Sequence, residues 1–258
     1  ANASAIAYYS TLKNRTQSFS LVRLAINLGW GVGIAAGGFL ASVDYHLLFW
    51  VDGGTSMVAA FCLLLLLPKS EGQEQRIIKS NLSTQERHAS AAHKDRIFWW
   101  FLGFILLFAS CFFQLFTTVP IYFKEVLMLD EYHIGLVMSL NGILIAVVEM
   151  PLVFKLEGRK PYLVLIAAGT LLMGLSFLLL NIPFFGGMLL ALLSVLVLTL
   201  AEMISMPFMN SYYISRTKEH NRGAYAGMYT MAWSAAQVIG SSSGAVLAKR
   251  IGFVNLWY

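Results

Sequence analysis

Charge is what this sequence has least of. Only 12% of its 258 residues are Asp, Glu, Lys or Arg, against 58% hydrophobic residues, whereas a soluble domain carries about 25% charged residues. That deficit, with a mean hydropathy of +0.68, excludes a water-soluble domain. Cysteine is scarce too. Cys62 and Cys111 sit alone in separate apolar stretches, so neither a disulfide framework nor a metal site is suggested. His46, His88, His93, His133 and His220 are scattered without ligand spacing, and no glycine-rich loop follows a strand-like run. The sequence therefore suggests no catalytic residue, no metal and no cofactor, and an enzyme is not expected.

Apolar length is what the chain does have. Crossing a ~30 Å hydrocarbon core takes roughly 20 apolar residues in a helix. Seven stretches qualify, near 21–42, 47–67, 97–121, 134–154, 162–181, 184–210 and 224–248. They are too long for barrel strands, and helices satisfy their own backbone where no water can. The expected fold class is an all-α membrane protein with seven visible transmembrane helices.

Basic residues orient it. Lys13, Arg15, Arg23, Lys69, Arg76, Lys79, Arg87, Lys94, Arg96, Lys155, Arg159, Lys160, Arg216, Lys218 and Arg222 fall in connections on one side, leaving only Lys124, Lys249 and Arg250 on the other. The positive-inside rule puts the first set, and with it the loop 69–96, in the cytoplasm. The net charge of +5 is thus an orientation signal. It implies a lipid bilayer as partner and no nucleic acid.

The chain also repeats itself at a distance of 207 residues. Asn14-Arg15 recurs as Asn221-Arg222, Ala25 as Ala232, Gly33 as Gly240 and Gly37 as Gly244. Each copy runs from a basic loop into a Gly/Ala/Ser-rich apolar helix, the mark of a duplicated transporter. If the first full span corresponds to the seventh, six helices make one unit and twelve make two. Ala1–Tyr9 then reads as the last turns of an earlier helix and Gly252–Tyr258 as the start of another, so the chain is expected to hold helices five to eleven of twelve. Residues 1–68 would end the N-terminal half, 69–96 form a polar linker, and 97–258 make up the C-terminal half with its last helix truncated.

The stretch Asn27-Leu28-Gly29-Trp30-Gly31-Val32-Gly33-Ile34-Ala35-Ala36-Gly37-Gly38 resembles the antiporter motif on helix five of the major facilitator superfamily, with Ile34 where that motif has proline. Ala201-Glu202-Met203 through Pro207, and Arg222-Gly223-Ala224-Tyr225-Ala226-Gly227-Met228-Tyr229, are similar to helix ten and its exit loop in bacterial drug:proton antiporter-like members. Glu157, Arg159 and Arg222 lie where that family carries its cytoplasmic gate. The resemblance implies a monomeric secondary transporter of the plasma (bacterial inner) membrane, binding a small molecule and a proton, whose cavity between two six-helix halves opens to each side in turn.

Few residues are candidates for the mechanism. Gly29, Gly33 and Gly37, with Gly38, form a small-residue face that lets another helix approach closely; it serves either as packing alone or as a seal of the cavity. Three acids fall within spans: Asp52, near the end of its helix, Glu149 and Glu202. A charged side chain at mid-helix costs about 2.5–3.5 kcal/mol by insertion scales. Glu202, in the polar stripe Thr199, Glu202, Ser205, is the first candidate for a transported proton, with a structural acid as the other reading. Glu149, six residues before Lys155, fits a snorkelling ion pair as well as proton coupling. Asn27, Gln114, Asn141 and Gln237 each interrupt a different apolar helix, and are expected either to bond between helices or to share the wall of a polar substrate cavity.

Two kinds of transporter fit. Proton-coupled efflux of amphipathic molecules agrees with the helix-five pattern and with Met203, Met206 and Met209 as an apolar lining. Proton-coupled uptake of a sugar or peptide uses the same acid, but no pair of opposite fixed charges is present to hold a zwitterion. A seven-helix receptor would place residues 9–24 outside, against the charge distribution, and has no use for the repeat.

Overall fold

The computed structural model describes residues 15–66, 92–182, 186–217 and 221–258. Most of the expected linker 69–96 lies outside the described residues. Within them the order is α1 (Arg15–Val43), α2 (Tyr45–Leu66), a 3-10 turn (Ala92–Lys94), α3 (Arg96–Phe112), a second 3-10 turn (Phe113–Phe116), α4 (Thr118–Glu125), α5 (Glu131–Leu156), α6 (Tyr162–Leu179), α7 (Gly187–Ser215) and α8 (Arg222–Leu256). No strand occurs among the described residues. Six segments are long and apolar enough to cross a bilayer, with α3, its 3-10 turn and α4 counting as one from Arg96 to Glu125. The seventh expected span, α8, has the length at 35 residues, but its glycines and serines make it less apolar. The expected all-α membrane bundle is what the chain forms.

Local chemistry sets the helix ends. Asp95 accepts a hydrogen bond from the Phe98 N–H at 3.1 Å to open α3, and Asp130 accepts one from the His133 N–H at 2.8 Å to open α5. Gly158, at φ 73°, takes the left-handed turn after α5 that a side chain would resist. Gly252, at φ 79°, interrupts α8, so the residues that read as the start of a further span form a separate last turn.

Phe98, Ile105, Leu115, Phe123, Val137 and Phe208 are at most 1% exposed and mark a core enclosed by α3 to α8. Lipid tails are as apolar as these side chains, so such helices are held by close packing more than by the hydrophobic effect. Glycine supplies the closest approaches. A Cβ on Gly169 of α6 would lie 2.7 Å from the Ala201 carbonyl of α7, and one on Gly240 of α8 would lie 2.7 Å from the backbone of Ser110 on α3.

The α1–α5 seam is built the same way. A Cβ on Gly142 would lie 2.6 Å from the Gly31 nitrogen, and one on Gly38 would lie 2.6 Å from the Gly135 Cα. Residues 31 and 38 share one face of α1 because seven residues close two helical turns to within about 20°. Gly29 and Gly33 point elsewhere, with nothing within 4 Å, and Gly37 meets only the Leu48 side chain at 3.8 Å. Of the stripe expected from the sequence, Gly38 makes the tight contact, joined by Gly31.

Candidate functional site

Glu202 stands at the middle of α7 and is 9% exposed. Asn141 on α5 reaches it, donating one amide N–H to Glu202 Oε2 at 2.8 Å and the other to Thr199 Oγ1 at 3.1 Å. The Thr199 hydroxyl donates to the Val195 carbonyl at 2.7 Å, which leaves its oxygen lone pairs to accept from Asn141. Thr199 and Glu202 are three residues apart and so present both acceptors on one side of α7. Ser205, next along the stripe, donates to the Ala201 carbonyl at 2.6 Å. Residues 131–154 and 187–215 contain no Lys or Arg. Its Asn141 partner is a neutral amide, and neither of these two helix stretches brings a fixed cation to the acid.

The remaining candidates have different surroundings. Glu149 lies two turns beyond Asn141 on α5 and is 4% exposed, so it turns into the bundle and does not snorkel. Gln114 sits where the third span changes from α to 3-10 geometry. Its amide donates to the Gly240 carbonyl at 2.7 Å and the Ser110 carbonyl at 3.1 Å, and accepts from the Thr118 hydroxyl at 2.5 Å. It fills the slot that Gly244 leaves by having no side chain. Gln114 thus clamps α3 to α8 with its hydrogen-bonding groups engaged, although its edge also lines a 390 Å³ cavity with Cys111, Phe177 and Leu247. Asn27 is half-buried on α1, and Gln237 is exposed. Of the four amides, Asn141 bonds the acid of α7 and Gln114 bonds α8. Met203 and Met209, at 1% and 0% exposure, are packed in the core.

At the basic end of the bundle, Glu157 and Arg159 are exposed on the turn after α5, and no ion pair among the described residues joins them. The Arg222 side chain lies outside the described residues. Asp95 makes the ionic contact there. It accepts from Arg216 Nε at 3.0 Å, from Arg216 Nη2 at 2.7 Å and from the Tyr225 hydroxyl at 3.0 Å, tying the start of α3 to the end of α7 and the start of α8. The sequence analysis did not single out Asp95, whose partner Arg216 lies 121 residues away. At the opposite end, Glu131 accepts from the Tyr45 hydroxyl at 2.8 Å and from Lys124 at 2.6 Å, linking α2 to α5.

Burial pushes the Asp95 carboxyl up, but bonds from Arg216, the Phe98 N–H and Tyr225 outweigh it and hold the group below its ordinary 3.8. A lowered folded-state value means that the stabilisation is fully present above that ordinary value and is lost as pH falls through the folded one. Arg216→Ala should cost about 1.5–3 kcal/mol, the worth of hydrogen bonds to a charged group, and Arg216→Lys part of that because the fork is lost. Thermal unfolding of the detergent-purified protein should show a lower midpoint for Arg216→Ala at neutral pH and a gap to wild type that narrows in acid. A gap that does not depend on pH would contradict the assignment.

The geometry stands beside two likenesses. Residues 1–241 match the family model described as Major Facilitator Superfamily. The chain is 24% identical over 259 aligned residues to the Multidrug resistance protein 2 of Bacillus subtilis (strain 168), an alignment that covers 94% of this chain and 60% of that protein. The chain therefore spans about three-fifths of the length of this relative. With a family match over nearly its whole length, and an all-helical bundle of membrane-spanning segments, the chain belongs to the Major Facilitator Superfamily of transporters.

Proposed function

We propose that this chain is part of a proton-driven exporter of small amphipathic molecules. Its basic end would face the cytoplasm and α1 would belong to a different half from α3 to α8. The observation that carries the reading is Glu202: a carboxylate at the middle of an apolar spanning helix, 9% exposed and bonded by an uncharged amide. Keeping an ionised group there costs about 2.5–3.5 kcal/mol, so such an acid is retained where it does work, and taking up a proton on one side and releasing it on the other is the work suited to it. The name of the Bacillus relative, a multidrug resistance protein, points to export. The close α1–α5 seam supports alternating access, because a contact between bare backbones is either closed or broken. The protein is proposed to act as a monomer in the plasma membrane.

The test uses inside-out membrane vesicles from cells making the full-length protein, with a fluorescent lipophilic dye as the probe. An acid lumen should drive dye accumulation, and nigericin, which exchanges protons for potassium, should abolish it. Accumulation that survives loss of the pH gradient would sink proton coupling. Accumulation only in right-side-out vesicles would reverse the direction.

A further inference from the structure

Asn141 and Gly142 are consecutive residues that face two different helices. The Asn141 amide bonds Glu202 of α7. Gly142 lies against the backbone of α1, where a Cβ would stand 2.6 Å from the Gly31 nitrogen and 2.8 Å from the Asn27 carbonyl. One turn of α5 therefore touches the buried acid on one side and the closest approach to α1 on the other. From this placement we infer that Asn141 is a positioning residue through which the proton occupancy of Glu202 is passed to the α1–α5 seam; the inference rests on the proton-coupling reading above.

Coupling from the acid to the seam takes two steps. A hydrogen bond to an ionised carboxylate is roughly twice as strong as one to a neutral acceptor. Protonating Glu202 therefore loosens α5 from α7 at Asn141 while leaving the amide bonded to Thr199. The second step is stiffness. The closest approaches in the seam are backbone against backbone, at Gly31–Gly142 and again at Gly38–Gly135, so a small shift of α5 opens or closes the contact as a unit. Other charged groups are few. In residues 24–43 of α1 there are none, and α7 has only Glu202 with the tyrosines 212 and 213 at its end. On α5 itself lie Glu131 and His133 in the first turn, Lys155 in the last and the buried Glu149.

The test places spin labels at Val43→Cys on α1 and Tyr132→Cys on α5, both exposed, in full-length protein carrying Cys62→Ser and Cys111→Ser. Distances are read by pulsed electron paramagnetic resonance at acid and alkaline pH. The parent should show a pH-dependent shift between two distance populations. Glu202→Gln should stay in the acid population at both pH values. Asn141→Leu should lose most of the shift, whereas Thr199→Val, which leaves the Asn141–Glu202 bond in place, should keep it. Should Asn141→Leu fail to give monodisperse protein, Asn141→Ser, too short to reach Glu202, takes its place with the same expectation. A shift lost in Glu202→Gln but intact in the Asn141 variant overturns this inference alone. A shift intact in Glu202→Gln, or absent from the parent, overturns it together with the proton-coupling reading.

Discussion

Glu202→Gln in the full-length protein is expected to abolish accumulation driven by a pH gradient while sparing exchange of substrate across the membrane. Glutamine keeps the shape of the protonated acid, and its carbonyl can still accept the Asn141 N–H that now reaches Oε2 at 2.8 Å. What it cannot do is release a proton. In proteoliposomes, gradient-driven uptake should fall to the level seen without a gradient, with counterflow retained. Glu149→Gln, at a buried acid two turns along α5 from the Asn141–Glu202 contact, should do less. Were Glu202 only structural, the variant would give less folded protein, and the molecules that survive would still accumulate substrate.

Gly38→Ala should slow transport about tenfold or more without preventing insertion. The new methyl would stand 2.6 Å from the Gly135 Cα and 2.8 Å from the Glu131 carbonyl, both backbone atoms that cannot swing aside. Overpacking of this kind costs about 1–3 kcal/mol, and 1.4 kcal/mol is a factor of ten in an equilibrium, here the one between closed and open seam. Gly29→Ala, the same change in the same helix, is the comparison: nothing from α5 lies within 4 Å of its Cβ, so a loss there reports contacts other than the α1–α5 seam. Initial rates at equal protein amounts decide it. Equal losses in the two variants would mean that α1 dislikes any added methyl and that the seam has no special part.

Which glycines would touch was beyond the sequence, for a physical reason. Gly29, Gly31, Gly33, Gly37 and Gly38 supply small residues around much of α1, so a four-residue and a seven-residue register were both available. The 207-residue repeat clarifies the unused one. Gly240 and Gly244, the counterparts of Gly33 and Gly37, receive Ser110 and Gln114 of α3, and the repeat leads us to expect the same use of that α1 face by the helix equivalent to α3 in the first half. The spans themselves were legible because apolar length and charge act along the chain. Glu202 was legible as well, since an acid in the middle of an apolar run is costly wherever it points. Its partner was not: Asn141 is one of four intramembrane amides, and only the packing of α5 on α7 separates it from Gln114, which closes on the Gly240 carbonyl. The Asp95–Arg216 pair escaped for the same reason, joining residues from the start of α3 and the end of α7.

The central claim is that substrate and proton move in opposite directions through Glu202. It is tested most directly by adding substrate to proteoliposomes of the full-length protein, with no pH gradient imposed, and recording the pH inside them. The account predicts substrate-dependent proton movement opposite to the substrate in the wild type and none in Glu202→Gln at matched protein content. Proton movement of wild-type size in the Glu202→Gln variant would contradict it.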